Sequence, residues 1–185
     1  MRTRRALLAS SLVAATAGCV GRLTAEPYYT IDARTVHRDD GVLRPSISVA
    51  DAHVSLASSA AVDVSLENET SRSLSFASHP MVLHWIGSSY STGREVAVRD
   101  SEYVTLSRTD DGQRCWTETE RAGSAVSVAH WHSIAPNETQ TRRLLLASSK
   151  PTDGCLSTGT FAFENTYEVG EAEIDWTFEV EISEA

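Results

Sequence analysis

Histidines are the side chains with the most obvious chemistry in this sequence. His130 and His132 flank Trp131. On an extended strand, residues two apart face the same way, so both imidazoles could bind one transition metal. His79 and His84 lie around a second candidate strand and would add ligands if the two segments were neighbours. A copper centre built from Cys, two His and Met finds Cys115 and Met81 in the chain, but not at the clustered spacing it needs. Asp39-Asp40-Gly41 and Asp110-Asp111-Gly112 lack the alternating ligands and distal glutamate of a calcium loop and read as turns. There is no Gly-x-Ser-x-Gly elbow, phosphate loop or dinucleotide fingerprint. The chain therefore reads as non-enzymatic, with no catalytic residue and no resident cofactor. A metal- or solute-binding protein using His130 and His132 is the alternative.

Two further motifs concern covalent modification. Asn68-Glu69-Thr70 and Asn137-Glu138-Thr139 are N-glycosylation sequons in expected surface turns, although Asn-Glu-Thr is also simply a good turn sequence. At the other end of the chain, Arg2, Arg4 and Arg5 precede an uncharged apolar stretch from Ala6 to Ala17. As a helix that stretch spans ~18 Å, against ~30 Å of membrane hydrocarbon. A signal peptide is therefore expected rather than a membrane span. Thr3-Arg4-Arg5-Ala6-Leu7-Leu8 resembles the twin-arginine export motif, carried by Arg4 and Arg5. Thr16-Ala17-Gly18-Cys19 resembles a lipobox, with Thr16 where leucine is usual. Its cysteine falls where the apolar stretch ends, as lipidation requires. The expected organisation is a signal peptide over 1–18, the lipidated Cys19 with a tether over 19–27, and one domain over 28–185. This places the protein at the outer face of the cytoplasmic membrane, held by lipid. Cys115 and Cys155 are the remaining cysteines, and an even pair in an exported chain suggests a disulfide, with two free thiols as the other possibility. A loop of about 40 residues closed in this way stabilises a fold by ~4 kcal/mol in the chain-entropy account.

Charge narrows the partners. The chain carries 25 Asp and Glu against 16 Lys and Arg, and Lys150 is its one lysine. Removing 1–18 takes away three arginines and no acids, leaving 13 positive and 25 negative side chains, a net of -12. Nucleic acid is excluded as a default partner, because phosphate binding needs clustered cations. The expected contacts are the membrane through the Cys19 lipid and an unknown protein or envelope partner. In molar salt the Debye length falls to ~3 Å, so an acid-rich surface stays hydrated without repelling itself. The imbalance is what adaptation to high salt would produce.

These motifs must be positioned by strands. Ile174, Trp176, Phe178, Val180 and Ile182 alternate with Glu173, Asp175, Thr177, Glu179 and Glu181, one apolar and one polar face. Phe161, Phe163, Tyr167 and Val169 keep the same period, and Val169-Gly170-Glu171 supplies the turn of a long antiparallel hairpin. Val62 to Leu66 and Ser73 to Phe76 flank a turn at Asn68-Glu69-Thr70-Ser71, and Ala125 to Trp131 joins Leu144 to Ala147 through 134–139. Asp40-Gly41 and Asp111-Gly112 read as hairpin turns with positive φ. The expectation is an all-β, immunoglobulin-like antiparallel β-sandwich of about seven to nine strands.

The series Val64-Ser65-Leu66-Glu67-Asn68, Leu74-Ser75-Phe76, Ile134-Ala135-Pro136-Asn137-Glu138-Thr139 and Gly159-Thr160-Phe161 resembles the immunoglobulin-like domains of small haloarchaeal surface lipoproteins. It is also distantly similar to the BsuPI-type proteinase-inhibitor fold. The similarity covers roughly residues 50 to 182, with Asn137 where a glycine of a Pro-Gly-Glu-Thr loop would stand. It implies an architecture, not an inhibitory activity.

Overall fold

The computed structural model describes residues 26–79, 88–91, 94–101, 104–108, 116–121, 131–148 and 156–185. These form thirteen strands and no helix. In chain order the strands are β1 (Tyr29–Arg38), β2 (Leu43–Asp51), β3 (His53–Val54), β4 (Ala61–Asn68), β5 (Leu74–His79), β6 (Ser88–Ser91), β7 (Arg94–Asp100), β8 (Val104–Arg108), β9 (Trp116–Arg121), β10 (His132–Ile134), β11 (Thr139–Ser148), β12 (Gly159–Val169) and β13 (Ala172–Glu184). The count exceeds the expected seven to nine partly because β3 and β10, at two and three residues, are too short for a two-residue period to register.

Two sheets pack face to face. One has the order β10-β5-β12-β13-β1-β3 and the other β2-β4-β11-β7-β6, with β9 joining β11 and β8 joining β9. Pairing is antiparallel except for one parallel bridge, Ser148 to Thr117. The β12–β13 hairpin forms in the expected register, Phe163 opposite Phe178 and Tyr167 opposite Ile174. It closes through Gly170, whose φ of 65° is the left-handed conformation glycine adopts without a Cβ penalty. Ile174, Trp176, Phe178, Val180 and Ile182 are buried, while Glu173, Asp175 and Glu181 are exposed.

The core between the sheets is aromatic on one side and aliphatic on the other. Phe163 stacks on Phe178 at 5.0 Å between centroids, Phe178 lies 4.8 Å from Trp176, and Trp176 lies 6.4 Å from Tyr167. Tyr167 meets Phe76 edge-on at 6.3 Å. Val62, Val64, Leu66, Leu144 and Leu146 of β4 and β11 cover these rings from the opposite sheet. The Trp176 indole N–H reaches Thr35 Oγ1 at 3.4 Å, so its polar atom is not left bare in the core.

One turn differs from the sequence expectation. Asp40-Gly41 does not close a hairpin: β1 and β2 belong to different sheets, and the segment between them is a crossover. Gly41 is not in the left-handed region. Glycine is needed there for space, because a Cβ would stand 2.5 Å from Ile174 Cδ1 and 2.8 Å from Ile174 Cγ1. Asp111-Gly112 lies outside the described residues, as does 125–130 of the strand expected over 125–131; Trp131 itself precedes the first residue of β10. Gly41→Ala should lower the unfolding free energy by roughly 1–3 kcal/mol through overpacking, read from urea denaturation. Ile174→Val in that background removes Cδ1 and should restore part of the loss; no restoration would place the strain elsewhere.

Candidate functional site

Three crossovers lie side by side at one end of the sandwich: 39–42 between β1 and β2, 69–73 between β4 and β5, and 135–138 between β10 and β11. Register brings them together, since Leu43 of β2 stands opposite Asn68 of β4 and Thr139 of β11 opposite Glu67. On the first sheet, β10 pairs with β5 through Ile134 opposite Leu74. The two later crossovers are thus adjacent arches, paired with each other in both sheets. The Gly170 turn closes the same pole, because Asp39 N donates to Asp175 O at 2.9 Å and Asp175 N to Asp39 Oδ2 at 3.2 Å.

Asn68 ties the two arches. Its side chain is fully buried. Nδ2 donates to Arg72 O and to Ala135 O, each at 2.8 Å, with Ile134 O at 3.4 Å. Oδ1 accepts from Thr70 N at 2.9 Å and from Thr70 Oγ1 at 2.7 Å. The backbone repeats the link, Asn68 N to Glu138 O at 2.9 Å and Asn137 N to Thr70 O at 3.2 Å. A carboxamide has two donors and two acceptor lone pairs, so Asn68 spends its full capacity holding 69–72 against 134–135. No other uncharged side chain of that size offers two donors together with an acceptor. In this position Nδ2 is not presented to a modifying enzyme, and a substituent on it would displace one of the two carbonyls it serves. The burial argues against Asn68 as a glycan acceptor in the folded domain.

Asn137 has the opposite surroundings. Glu138 N donates to Ala135 O at 3.2 Å, closing a β-turn with Pro136 and Asn137 at its centre. Asn137 has φ of 54° and is exposed. Pro followed by a residue with positive φ is the signature of a type II turn, where Asn is the usual substitute for Gly. Glu138 secures the turn from beneath, with Oε2 accepting from Ala135 N at 2.5 Å and Oε1 from Gln140 Nε2 at 3.3 Å.

The histidine hypothesis meets mixed geometry. β10 is the neighbour of β5, with His132 opposite Phe76, so the segments carrying His132 and His79 do adjoin. The His132 ring is half-buried and lies 5.5 Å from the Phe76 ring, which continues the aromatic row of the core to the surface. Trp131 beside it is 56% exposed. Among the described residues no three His, Cys, Asp or Glu side chains converge as a metal site. His130, His84 and Met81 lie outside the described residues, as do Arg4, Arg5, Cys19, Cys115 and Cys155.

Two polar pairs were not singled out by sequence. Burial pushes the Tyr167 hydroxyl far above its ordinary value, partly offset by its hydrogen bond with Asn165; the two share the inward face of β12. Arg99 on β7 pairs with Glu118 on β9 at 3.1 Å, with the Arg99 side chain 3% exposed. Alternation marks Asn165 as inward beside Phe163 and Tyr167, but it puts Arg99 on the face away from Val96 and Val98, and it names neither partner.

Asn68→Asp keeps the shape and the acceptor oxygen but replaces the donor by a carboxylate facing two carbonyls. The substitution should lower stability by roughly 2–4 kcal/mol at neutral pH. Burial and the two carbonyls raise the pKa of the introduced carboxyl. Its penalty is therefore present above that pKa and shrinks as falling pH protonates the group and restores one donor. Urea denaturation at several pH values checks this; a penalty that is small or independent of pH would mean the amide donors carry little.

No family model matches the chain, and neither a curated protein nor a solved structure matches it.

Proposed function

We propose that this chain is an exported lipoprotein whose β-sandwich is held at the outer face of the cytoplasmic membrane by lipid on Cys19, and that it serves there as a non-enzymatic interaction or envelope-structure module. The observation that carries the reading is where the segment leading from Cys19 enters the sandwich. Tyr28 N donates to Val54 O at 2.7 Å and Ala185 N to Tyr28 O at 3.1 Å. Tyr29 stands opposite Glu184 at the far end of β13 from the Gly170 turn. The segment running back towards Cys19 thus meets the sandwich at the pole opposite the three crossovers. Nine residue steps from Cys19 to Tyr28 reach at most ~30 Å, enough to hold the domain just clear of the headgroups. A thirteen-residue strand such as β13 is ~44 Å long at ~3.4 Å per residue. Under this reading the crossover pole is the membrane-distal face, the part that a partner meets first.

High-salt adaptation belongs to the same reading, and the first sheet supports it. Along its outer face Asp32 stands opposite Glu181 and Glu168 opposite Glu173. Like charges directly opposite on neighbouring strands sit ~5 Å apart and destabilise the pair. Opposing this are exposed ion pairs: Arg34 with Glu179 at 2.8 Å, Arg44 with Glu69 at 2.7 Å and Arg143 with Asp63 at 2.9 Å. The Arg143 guanidinium holds the Asp63 carboxyl below its ordinary range. Such exposed pairs contribute ~0–1 kcal/mol each, too little to offset the self-repulsion of a -12 domain. Salt screens both terms, and the repulsive one is the larger.

The test of anchoring is fractionation with intact mass. The wild-type chain should sediment with membranes and carry a lipid mass on Cys19, whereas Cys19→Ser should be released or remain unprocessed. Membrane retention of Cys19→Ser would overturn the anchor. For the salt reading, the melting temperature should rise between dilute buffer and molar potassium chloride; an unchanged value would contradict it.

A further inference from the structure

The two sequons are identical in sequence, yet the fold treats them oppositely. At Asn68 the carboxamide is fully buried and both of its donors are engaged. At Asn137 the side chain is exposed at the tip of a type II turn, and Thr139, which completes the sequon, is exposed at the first position of β11. Both sequon side chains are therefore open to one enzyme at the second site. Asn137 also occupies a left-handed position, φ 54°, where glycine would fit without steric penalty. The side chain is present at some expense in backbone conformation, and none of the turn's hydrogen bonds described above uses it.

We infer that Asn137, and not Asn68, is an N-glycosylation site of this protein. This rests on the export reading, since it requires the domain to meet a glycosyltransferase at the outer membrane face. The donor class is a glycan activated as a lipid-linked phosphate or pyrophosphate ester. Asn137 Nδ2 attacks the anomeric carbon; the carbon–nitrogen bond forms as the carbon–oxygen bond to phosphate breaks. The lipid phosphate leaves with the electron pair, and one amide proton passes to a base of the transferase. No oxidation or reduction is involved. The backbone N–H that Asn137 donates to Thr70 O is untouched, so the turn survives modification. The glycan then projects from the pole opposite the entry of the segment from Cys19 at Tyr28.

The experiment is glycopeptide mass mapping of the full-length protein purified from membranes of the organism that encodes it, with Cys19 lipidation read in the same sample. The wild type should carry a glycan on the peptide containing Asn137 and none on the peptide containing Asn68. Asn137→Gly should fold at least as stably and lose the glycan. Thr139→Ala should lose it and Thr139→Ser retain it, while Thr70→Ala, which destroys the Asn68 sequon, should leave the glycan mass unchanged. A lipidated, processed protein with bare Asn137 would overturn the site and leave export standing. An unprocessed chain with bare Asn137 would overturn both. A glycan on Asn68 would overturn the claim that burial decides between the sequons.

Discussion

A β-sandwich must carry its chain from one sheet to the other with its polar groups satisfied, and at the crossover pole of this protein the buried carboxamide of Asn68 joins two such crossings. Two arches turn there side by side, and Arg72 O and Ala135 O both face inward between them. Each has a second donor, Thr70 Oγ1 at 3.0 Å on Arg72 O and Glu138 N at 3.2 Å on Ala135 O, so the amide adds one bond to each, ~0.5–1.5 kcal/mol apiece. One amide group supplies both donors, and its oxygen fixes the start of the 69–72 turn through Thr70. The constraint is therefore geometric as much as energetic. Asn68 sits where β4 pairs with β11 in one sheet and β5 with β10 in the other.

The aromatic row belongs to the first sheet. Because β5 pairs with β12 and β12 with β13, Phe76 meets Tyr167, and the row of rings continues through Trp176 and Phe178 to Phe163. Loss of any one buried ring would cost ~3–5 kcal/mol, so the aromatic row dominates the gross stabilisation. It does not by itself select the crossover geometry, because apolar packing is non-directional. The buried amide is a smaller contribution, but it is directional. Outside this core, the outer face of the first sheet carries opposed carboxylates beside the matched Arg34–Glu179 pair, and that of the second has matched pairs such as Asp63 with Arg143 and Ser65 with Thr141 at 2.8 Å.

What the sequence made legible was periodic. The β12–β13 hairpin, its register and its Gly170 turn follow from eleven and thirteen residues of near-strict alternation. The strands at 62–66 and 74–76 were equally readable, but where they go was not. Asp40-Gly41 could serve a hairpin or an arch, because both put apolar residues on the inward face on each side of a tight turn. The decision lies in the pairing of β1 with β13 in one sheet and of β2 with β4 in the other, and Gly41 leaves the room that Ile174 takes. Asn68 is the sharper example. As a local residue it is a turn former. Its second carbonyl partner lies 67 residues along the chain, a separation no window of sequence spans. The same holds for Arg99 and Glu118, whose pairing crosses from β7 to β9. The two sequons, identical as text, become distinct because one asparagine sits inside the fold and the other on its tip.

The crossover pole is tied by side-chain and backbone hydrogen bonds as the strands of the core are, and is not a set of loose loops. Amide hydrogen exchange followed by NMR in molar salt addresses this most directly, at the amides of Thr70, Asn137 and Glu138, which donate to Asn68 Oδ1, Thr70 O and Ala135 O. If the Asn68 tie holds the arches, these amides open only with the whole domain and exchange as slowly as those at the centre of the β12–β13 and β4–β11 pairs. Exchange faster by orders of magnitude than in those strands, with the core still protected, would show that the arches open locally and would contradict the account.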